Sequence, residues 1–105
     1  MLNNMLVTIL EPNRIVVEVR GSNDGAILLI LGFSKKNNSY SIKTSNEKEQ
    51  LSIVEQLANA DALFSYGQGW APSEVMGYLK DDGKIKFPYK VIMWRSPNNY
   101  EIIDK

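Results

Sequence analysis

The stretch from Ala26 to Phe33, AILLILGF, constrains the fold more than any other, because nearly all of its eight residues are apolar. Such a run must be covered by other parts of the chain. Periodicity alone does not distinguish a buried strand from a short buried helix, but Asp24-Gly25 directly before it is typical of a tight hairpin turn. A helix that spans a membrane needs about 20 apolar residues. We therefore predict a central, buried β-strand over 26–33.

Three further segments have the pattern of strands that neighbour this run. Segments 6–10 and 15–20 are rich in β-branched residues and are separated by Glu11-Pro12-Asn13-Arg14, where proline favours a turn. Residues 40–43 alternate between apolar and polar, as in a half-exposed strand. Because the connections are short, these segments and the central run predict a four-stranded antiparallel meander.

A first helix is predicted over about 46–60, where the apolar residues recur on one arc of a helix. Both Thr44 with Glu47 and Asn46 with Glu49 have the spacing of a capping box. Asp61 would fall on the apolar arc if the helix continued. We therefore expect the helix to end near residue 59 or 60 and Asp61 to cap the following turn.

A second helix is predicted over 72–81, since Pro72 suits a first helical turn and Asp82-Gly83 suits a helix end. Strands at 91–95 and 100–103 follow, the last at or near a sheet edge. The predicted fold is a single α+β domain over 1–105, with a mainly antiparallel sheet of five or six strands (four-strand meander, two helices, C-terminal hairpin) and helices on one face. The predicted core comprises Ile15, Val17, Val19, Ile27, Leu29, Leu31, Leu51, Val54, Leu57, Leu79, Val91 and Met93.

The composition argues against most catalytic chemistry, because the chain has no cysteine and no histidine. Thiolate nucleophiles, disulfides and the commonest general base and metal ligand are therefore excluded. Nothing in the spacing of Asp61 and Glu74 fixes the separation that paired catalytic carboxylates require, and Asp81-Asp82 lacks the loop pattern of a calcium site. We predict a non-enzyme without metal or cofactor. The first ten residues of the chain do not resemble a secretory signal, which favours a cytoplasmic location.

Charge is unevenly distributed along this formally neutral chain. Residues 46–82 carry seven acidic and two basic residues, a local charge of −5, whereas 1–45 and 83–105 carry +2 and +3. The acidic segment contains Phe64 to Trp70, FSYGQGW, in which glycines separate aromatic residues that commonly anchor protein interfaces. The contact residues predicted from this pattern are Asp61, Tyr66, Gln68, Trp70, Glu74, Asp81 and Asp82.

We interpret these features as a small protein-binding module with a basic protein as partner and no membrane association. Acidic residues would steer that partner before the aromatic rings dock. Small bacterial immunity proteins or antitoxins that neutralise a basic toxin or enzyme share this general design. In the other interpretation of the aromatic stretch, Trp70 packs beneath the second helix and makes no external contact.

Binding of single-stranded nucleic acid is the alternative function. The segment 84–95 combines basic and aromatic residues, and rings can stack on bases while cations contact phosphates. Acidic residues just upstream would repel a phosphate backbone, and alternation along a strand would bury some of the rings. The contacts in this alternative are Lys84, Lys86, Lys90 and Arg95.

Overall fold

The structure is a computed structural model that describes residues 5–20, 25–37, 39–67, 71–96 and 99–105. These residues form an α+β fold, which confirms the predicted class, with a seven-stranded mixed sheet and three helices. The elements are β1 (Met5–Glu11), β2 (Arg14–Val19), α1 (Ala26–Ile30), β3 (Ser34–Lys36), β4 (Ser39–Lys43), α2 (Glu47–Asn59), β5 (Leu63–Ser65), α3 (Pro72–Asp81), β6 (Lys90–Ser96) and β7 (Asn99–Asp104). None of these helices has the length and apolar character needed to cross a membrane.

The strand order β3-β4-β2-β1-β5-β6-β7 places β1 at the centre of the sheet. β5 pairs in parallel with both β1 and β6, while the other neighbouring strands are antiparallel. The predicted mainly antiparallel sheet of five or six strands, with its four-strand meander, is therefore wrong in its details, because the sheet has seven strands and two parallel pairings. β5 has only three residues, too few to give a recognisable strand pattern, yet its insertion between β1 and β6 makes the sheet mixed. β7 lies at an edge, as predicted.

The apolar run 26–33 begins with helix α1, so the predicted central strand is wrong. One turn of helix buries only one side of the run: Leu28 is fully buried, whereas Leu29 is 54% and Ile30 82% exposed. The helix ends in a Schellman motif, in which Gly32 adopts a φ of 100° and the Phe33 N–H donates to the Leu28 carbonyl at 2.9 Å. The run thus supplies two buried residues, Leu28 and Phe33, to the main core, where a central strand would bury both faces.

The sequence predicts two turns in the first part of the chain, one between β1 and β2 and one directly before α1. The predicted hairpin over 11–14 is confirmed, since β1 and β2 pair across it. Asn23 and Asp24 of the other predicted turn lie outside the described residues, but Gly25 has a φ of 67°. A Cβ added to Gly25 would lie 2.8 Å from the ring of Tyr40, which is closer than packed atoms allow. Only glycine therefore fits both the backbone conformation and the space at this position.

Helix α2 begins and ends where the sequence predicts. The Asn46 side chain accepts a hydrogen bond from the Glu49 N–H at 2.9 Å, so Asn46 is the N-terminal cap, and Thr44 instead donates its hydroxyl to the Pro12 carbonyl at 3.0 Å. Asp61 follows the helix with a φ of 62°. It occupies the left-handed position of a second Schellman motif, which the Ala62 N–H completes at 3.0 Å from the Leu57 carbonyl.

Buried side chains of all three helices belong to one large cluster on one side of the sheet. A smaller cluster of Leu6, Leu63 and Ile92, with Tyr100 packed against it, involves strand residues only. Of the predicted core, Leu29 is wrong because it points away from the sheet. The buried members are Ile15, Val17, Val54, Leu57, Leu79 and Val91; the partly buried ones are Val19, Ile27, Leu31, Leu51 and Met93.

Candidate functional site

A cavity of about 290 Å³ runs alongside α3, between this helix and the β6–β7 hairpin. α3 itself packs on β1 and β5 and does not cover the side of β7 that faces the helices, where Ile103 is only partly buried. We call this cavity the α3 groove. It is lined by Tyr66, Gly67, Ser73, Glu74, Gly77, Tyr78, Asp81, Val91, Ile103 and Lys105.

One stripe of α3 forms the helical wall of the groove. Glu74, Tyr78 and Asp81 are spaced by four and three residues, which places them on the same side of a helix. Gly77 lies in the same stripe and has no side chain. Apart from its chain neighbours and the backbone of its own helix, none of the described residues has an atom within 4 Å of a Cβ added there. The wall therefore bears carboxylates and a phenol, with an opening at Gly77 between them.

Strand residues form the apolar floor. Val91 of β6 and Ile103 of β7 are opposite each other in the antiparallel register, and Val91 belongs to the main core. At one end, the chain leaves β5 at Tyr66, which is 55% exposed, and the Gly67 N–H donates to the Ser73 hydroxyl at 3.2 Å. Tyr78 is 57% exposed. The groove thus combines an apolar floor with two accessible tyrosine rings.

The two carboxylates of the groove lie outside the ion pairs that the described residues form. Within the described part of the chain, five ion pairs neutralise acidic residues elsewhere, but neither Glu74 nor Asp81 takes part in one. Glu74 accepts a long hydrogen bond of 3.4 Å from the Tyr78 hydroxyl. Burial raises the pKa of Tyr89, and the charge of Asp81 raises it further. Lys105 is the one basic residue in the lining.

Three of the predicted contact residues, Tyr66, Glu74 and Asp81, line this groove together. Asp82 is exposed and follows α3 without reaching the lining. Asp61 lies before β5 and Tyr66 after it, so the strand separates them, and Asp61 forms an ion pair with Lys90 at 3.3 Å. Gln68 and Trp70 lie outside the described residues, so their placement stays a prediction.

Sequence reasoning missed several lining residues. Tyr78 could have been found, since its spacing from Glu74 and Asp81 places all three on one side of the predicted helix. Ile103 and Lys105 could not, because they reach the groove only through the pairing of β7 with β6.

The four basic residues of the nucleic-acid alternative are distributed over several places. Lys84 and Lys86 line a separate cavity of about 560 Å³ beside α2, together with Lys48. Lys90 is paired with Asp61, and Arg95 contacts Glu101 at 3.6 Å; Lys84 is paired as well, with Glu47 at 3.0 Å.

The aromatic residues of that alternative are divided between core and surface. Tyr89 is buried in the core against Phe64 and Phe87 is partly buried, while Trp94 remains 39% exposed beside Tyr100. Among these rings Trp94 is therefore the best placed to stack on a base.

The described residues include no group of three or more acidic side chains placed to hold a metal ion. Comparisons with protein-family models, curated proteins and solved structures find no match to this chain. The geometry and charge of the α3 groove are therefore the features that bear on function.

Proposed function

We propose that this chain is a non-catalytic binding module that recognises a basic protein through the α3 groove. The observation that carries the proposal is the combination of two carboxylates outside any described ion pair with two exposed tyrosines over an apolar floor. Protein interfaces use the same combination, with apolar and aromatic contacts at the centre and charges at the rim. Core packing alone does not require these tyrosines to be exposed.

Each part of the groove has a role in this binding. Glu74 and Asp81 attract a cationic partner and mainly raise the association rate, an effect that salt screens. A lysine or arginine that enters the groove meets the rings of Tyr66 and Tyr78, which favour cations over their faces. Aliphatic parts of the same side chain cover the apolar floor. A well-packed tyrosine at the centre of such an interface contributes about 2 kcal/mol or more.

In the specific form of this proposal, the module is a cytoplasmic inhibitor of the immunity or antitoxin type. A toxin or enzyme that acts on nucleic acid carries cations where it contacts phosphates. An acidic groove that binds over those cations would block that surface by binding alone, without catalysing a reaction. This form needs no catalytic residue, metal or cofactor in the inhibitor.

The second candidate, binding of single-stranded nucleic acid, is supported by the three lysines that line the cavity beside α2. Lys84, Lys86 and Lys48 could contact a phosphate backbone there. Three of the four predicted basic contacts are in ion pairs, and a phosphate would have to displace their carboxylate partners. This competition makes nucleic acid the second candidate.

Capture of partners from the native organism with the purified protein, followed by mass spectrometry, would identify the ligand of the groove. The captured partner is then measured against the double variant Glu74→Lys with Asp81→Lys. The matched control is Glu49→Lys with Glu55→Lys, which makes the same change in net charge on the exposed side of α2. We expect the groove variant to lose at least tenfold in affinity and the control to bind like the parent.

Equal binding by the parent and both variants would contradict the proposal. A gel shift of single-stranded RNA or DNA at physiological salt, abolished by Lys84→Glu with Lys86→Glu, would instead establish the second candidate.

A further inference from the structure

The hydrogen bonds of β6 and β7 identify which backbone groups of the edge strand face outward. The Lys105 N–H donates to the Tyr89 carbonyl at 2.9 Å, and the Tyr66 N–H donates to the Ile92 carbonyl at 2.9 Å. In an antiparallel ladder both backbone groups of a residue point to the same neighbouring strand, and the direction alternates along the chain. Ile92 points toward β5, so its partner Ile102 points away from β6. The outward-facing N–H and C=O groups are those of Tyr100, Ile102 and Asp104.

The two edges of the sheet differ in their protection. β3 has three residues, two of which are lysines, and short charged strands discourage the addition of another strand. β7 has six residues and contains neither lysine nor proline. No strand in the described part of the chain pairs with its outer edge. β7 is therefore the edge that can accept a strand from another chain.

An added strand would contact a different surface of the protein on each of its two sides. On the side of the helices, the added strand would lie beside Ile103 and the α3 groove with its acidic wall. On the opposite side, Ile102 is 42% and Trp94 39% exposed, and the Trp94 ring lies 5.2 Å from that of Tyr100. Alternate side chains of one strand would thus meet carboxylates and an apolar, aromatic surface.

We infer that an extended segment of the basic partner adds to the outer edge of β7, with Lys or Arg alternating with apolar residues. The cations face the α3 groove, and the apolar residues cover Ile102 and Trp94. This inference rests on the proposed function, because the groove acids supply its charge preference. A second copy of the chain is a poorer occupant, since its β7 carries the acidic Glu101 and Asp104 and has no basic residue to face the acids of the α3 groove.

A peptide of alternating lysine and valine, capped at both ends and matched to the six residues of β7, tests the inference. Its controls are the same peptide N-methylated at every second amide, which removes the donors toward β7, and a peptide with glutamate in place of lysine. Amide hydrogen exchange is followed by NMR. We expect the lysine peptide alone to slow exchange at Tyr100, Ile102 and Asp104 by about tenfold or more, with Glu101 and Ile103 unchanged because β6 already protects them.

A protein variant provides the complementary measurement. Ile102→Pro removes an N–H for which the described residues provide no strand partner and should abolish peptide binding, and edge strands tolerate proline. Circular dichroism checks that this variant is folded. If it is not folded, the comparison of the methylated and unmethylated peptides on the parent protein tests strand addition instead.

Three results would overturn strand addition. The first is equal binding of the methylated and unmethylated peptides without protection of the outward amides, which would leave groove binding of a basic partner standing. The second is no peptide binding at millimolar concentration. The third is protection of the same amides on raising the protein concentration alone, which would assign the edge to a second copy. Failure of the proposed function itself is recognised separately, by partner binding that the groove charge variant does not weaken.

Discussion

Replacing Gly77 by alanine should stabilise the protein, although this glycine lines the α3 groove. Gly77 lies in the interior of α3, where glycine costs about 0.5–1 kcal/mol relative to alanine because it loses more backbone freedom on folding. Apart from its chain neighbours and the backbone of its own helix, no atom of the described residues lies within 4 Å of the added Cβ, so no tertiary clash offsets the gain. For a domain of this size, the expected gain in the free energy of unfolding raises Tm by about 2–8 °C.

Gly83→Ala is the matched control at the end of the same helix. The space around Gly83 is equally open, but its φ of 72° is left-handed. Alanine in this conformation costs about 1–2 kcal/mol, because its Cβ approaches the following carbonyl oxygen. The same substitution should therefore have opposite signs at the two glycines, and backbone conformation alone would account for the difference.

Urea denaturation of the parent and both variants, followed by circular dichroism, measures these changes. Destabilisation by Gly77→Ala would refute the reasoning, since it would mean that residue 77 is not helical or that its surroundings are closed. A third variant connects stability to function: Gly77→Leu remains helix-compatible but places a large side chain in the groove. It should weaken partner binding at least tenfold while the helix content is unchanged, whereas Gly77→Ala should retain most of the binding.

The remaining predictions concern the core and the dependence of stability on pH. Leu28→Ala should lower the free energy of unfolding by about 2–5 kcal/mol, and Leu29→Ala by less than about 0.5 kcal/mol. Equal losses for the two variants in urea denaturation would indicate a strand in place of α1. Burial raises the pKa of Tyr89, so the folded protein holds the phenolic proton more tightly than the unfolded chain does. The free energy of unfolding should therefore fall as pH rises above the ordinary value of 10.0, and Tyr89→Phe should remove this component of a pH series. The Gln50 side chain donates to a turn carbonyl at 2.6 Å, so replacing Gln50 by leucine should lower the free energy of unfolding by about 1–3 kcal/mol. The same replacement at the exposed Gln56 should change it by less than about 0.5 kcal/mol.

Helices α2 and α3 were predictable because their signals are local. The Asn46 cap and the Gly83 helix end each depend on residues within one or two turns of helix. The same kind of signal is present for α1, since Gly32, within the apolar run, occupies the position after the helix end where a Schellman glycine belongs. It was outweighed by the expectation that a continuous apolar run is buried on both sides. Leu29 and Ile30 contradict that expectation, because large apolar residues are often exposed on protein surfaces.

The candidate site was only half predictable, for a different reason. Tyr66, Glu74 and Asp81 are close in sequence, and the composition of their segment indicated a binding surface. Their common groove depends on the parallel pairing of β5 with β6, which places α3 beside the C-terminal hairpin. Pairing between segments distant in sequence depends on the packing of the whole sheet. A strand as short as β5 gives no local pattern from which that pairing could be inferred.

The groove and the open edge have one geometrical origin. Seven strands spaced by about 4.8 Å span roughly 29 Å from first to last, whereas two packed helices such as α2 and α3 cover about 20 Å. α1 has only five residues and adds little to this cover. α3 packs on β1 and β5, two strands away from the edge, so the helix layer ends before β7. β7 therefore provides both the groove floor, through Ile103, and the outward backbone groups of its edge, through Ile102. A basic segment that pairs with this strand must lie along the groove as well, so backbone pairing and charge recognition would act on the same partner.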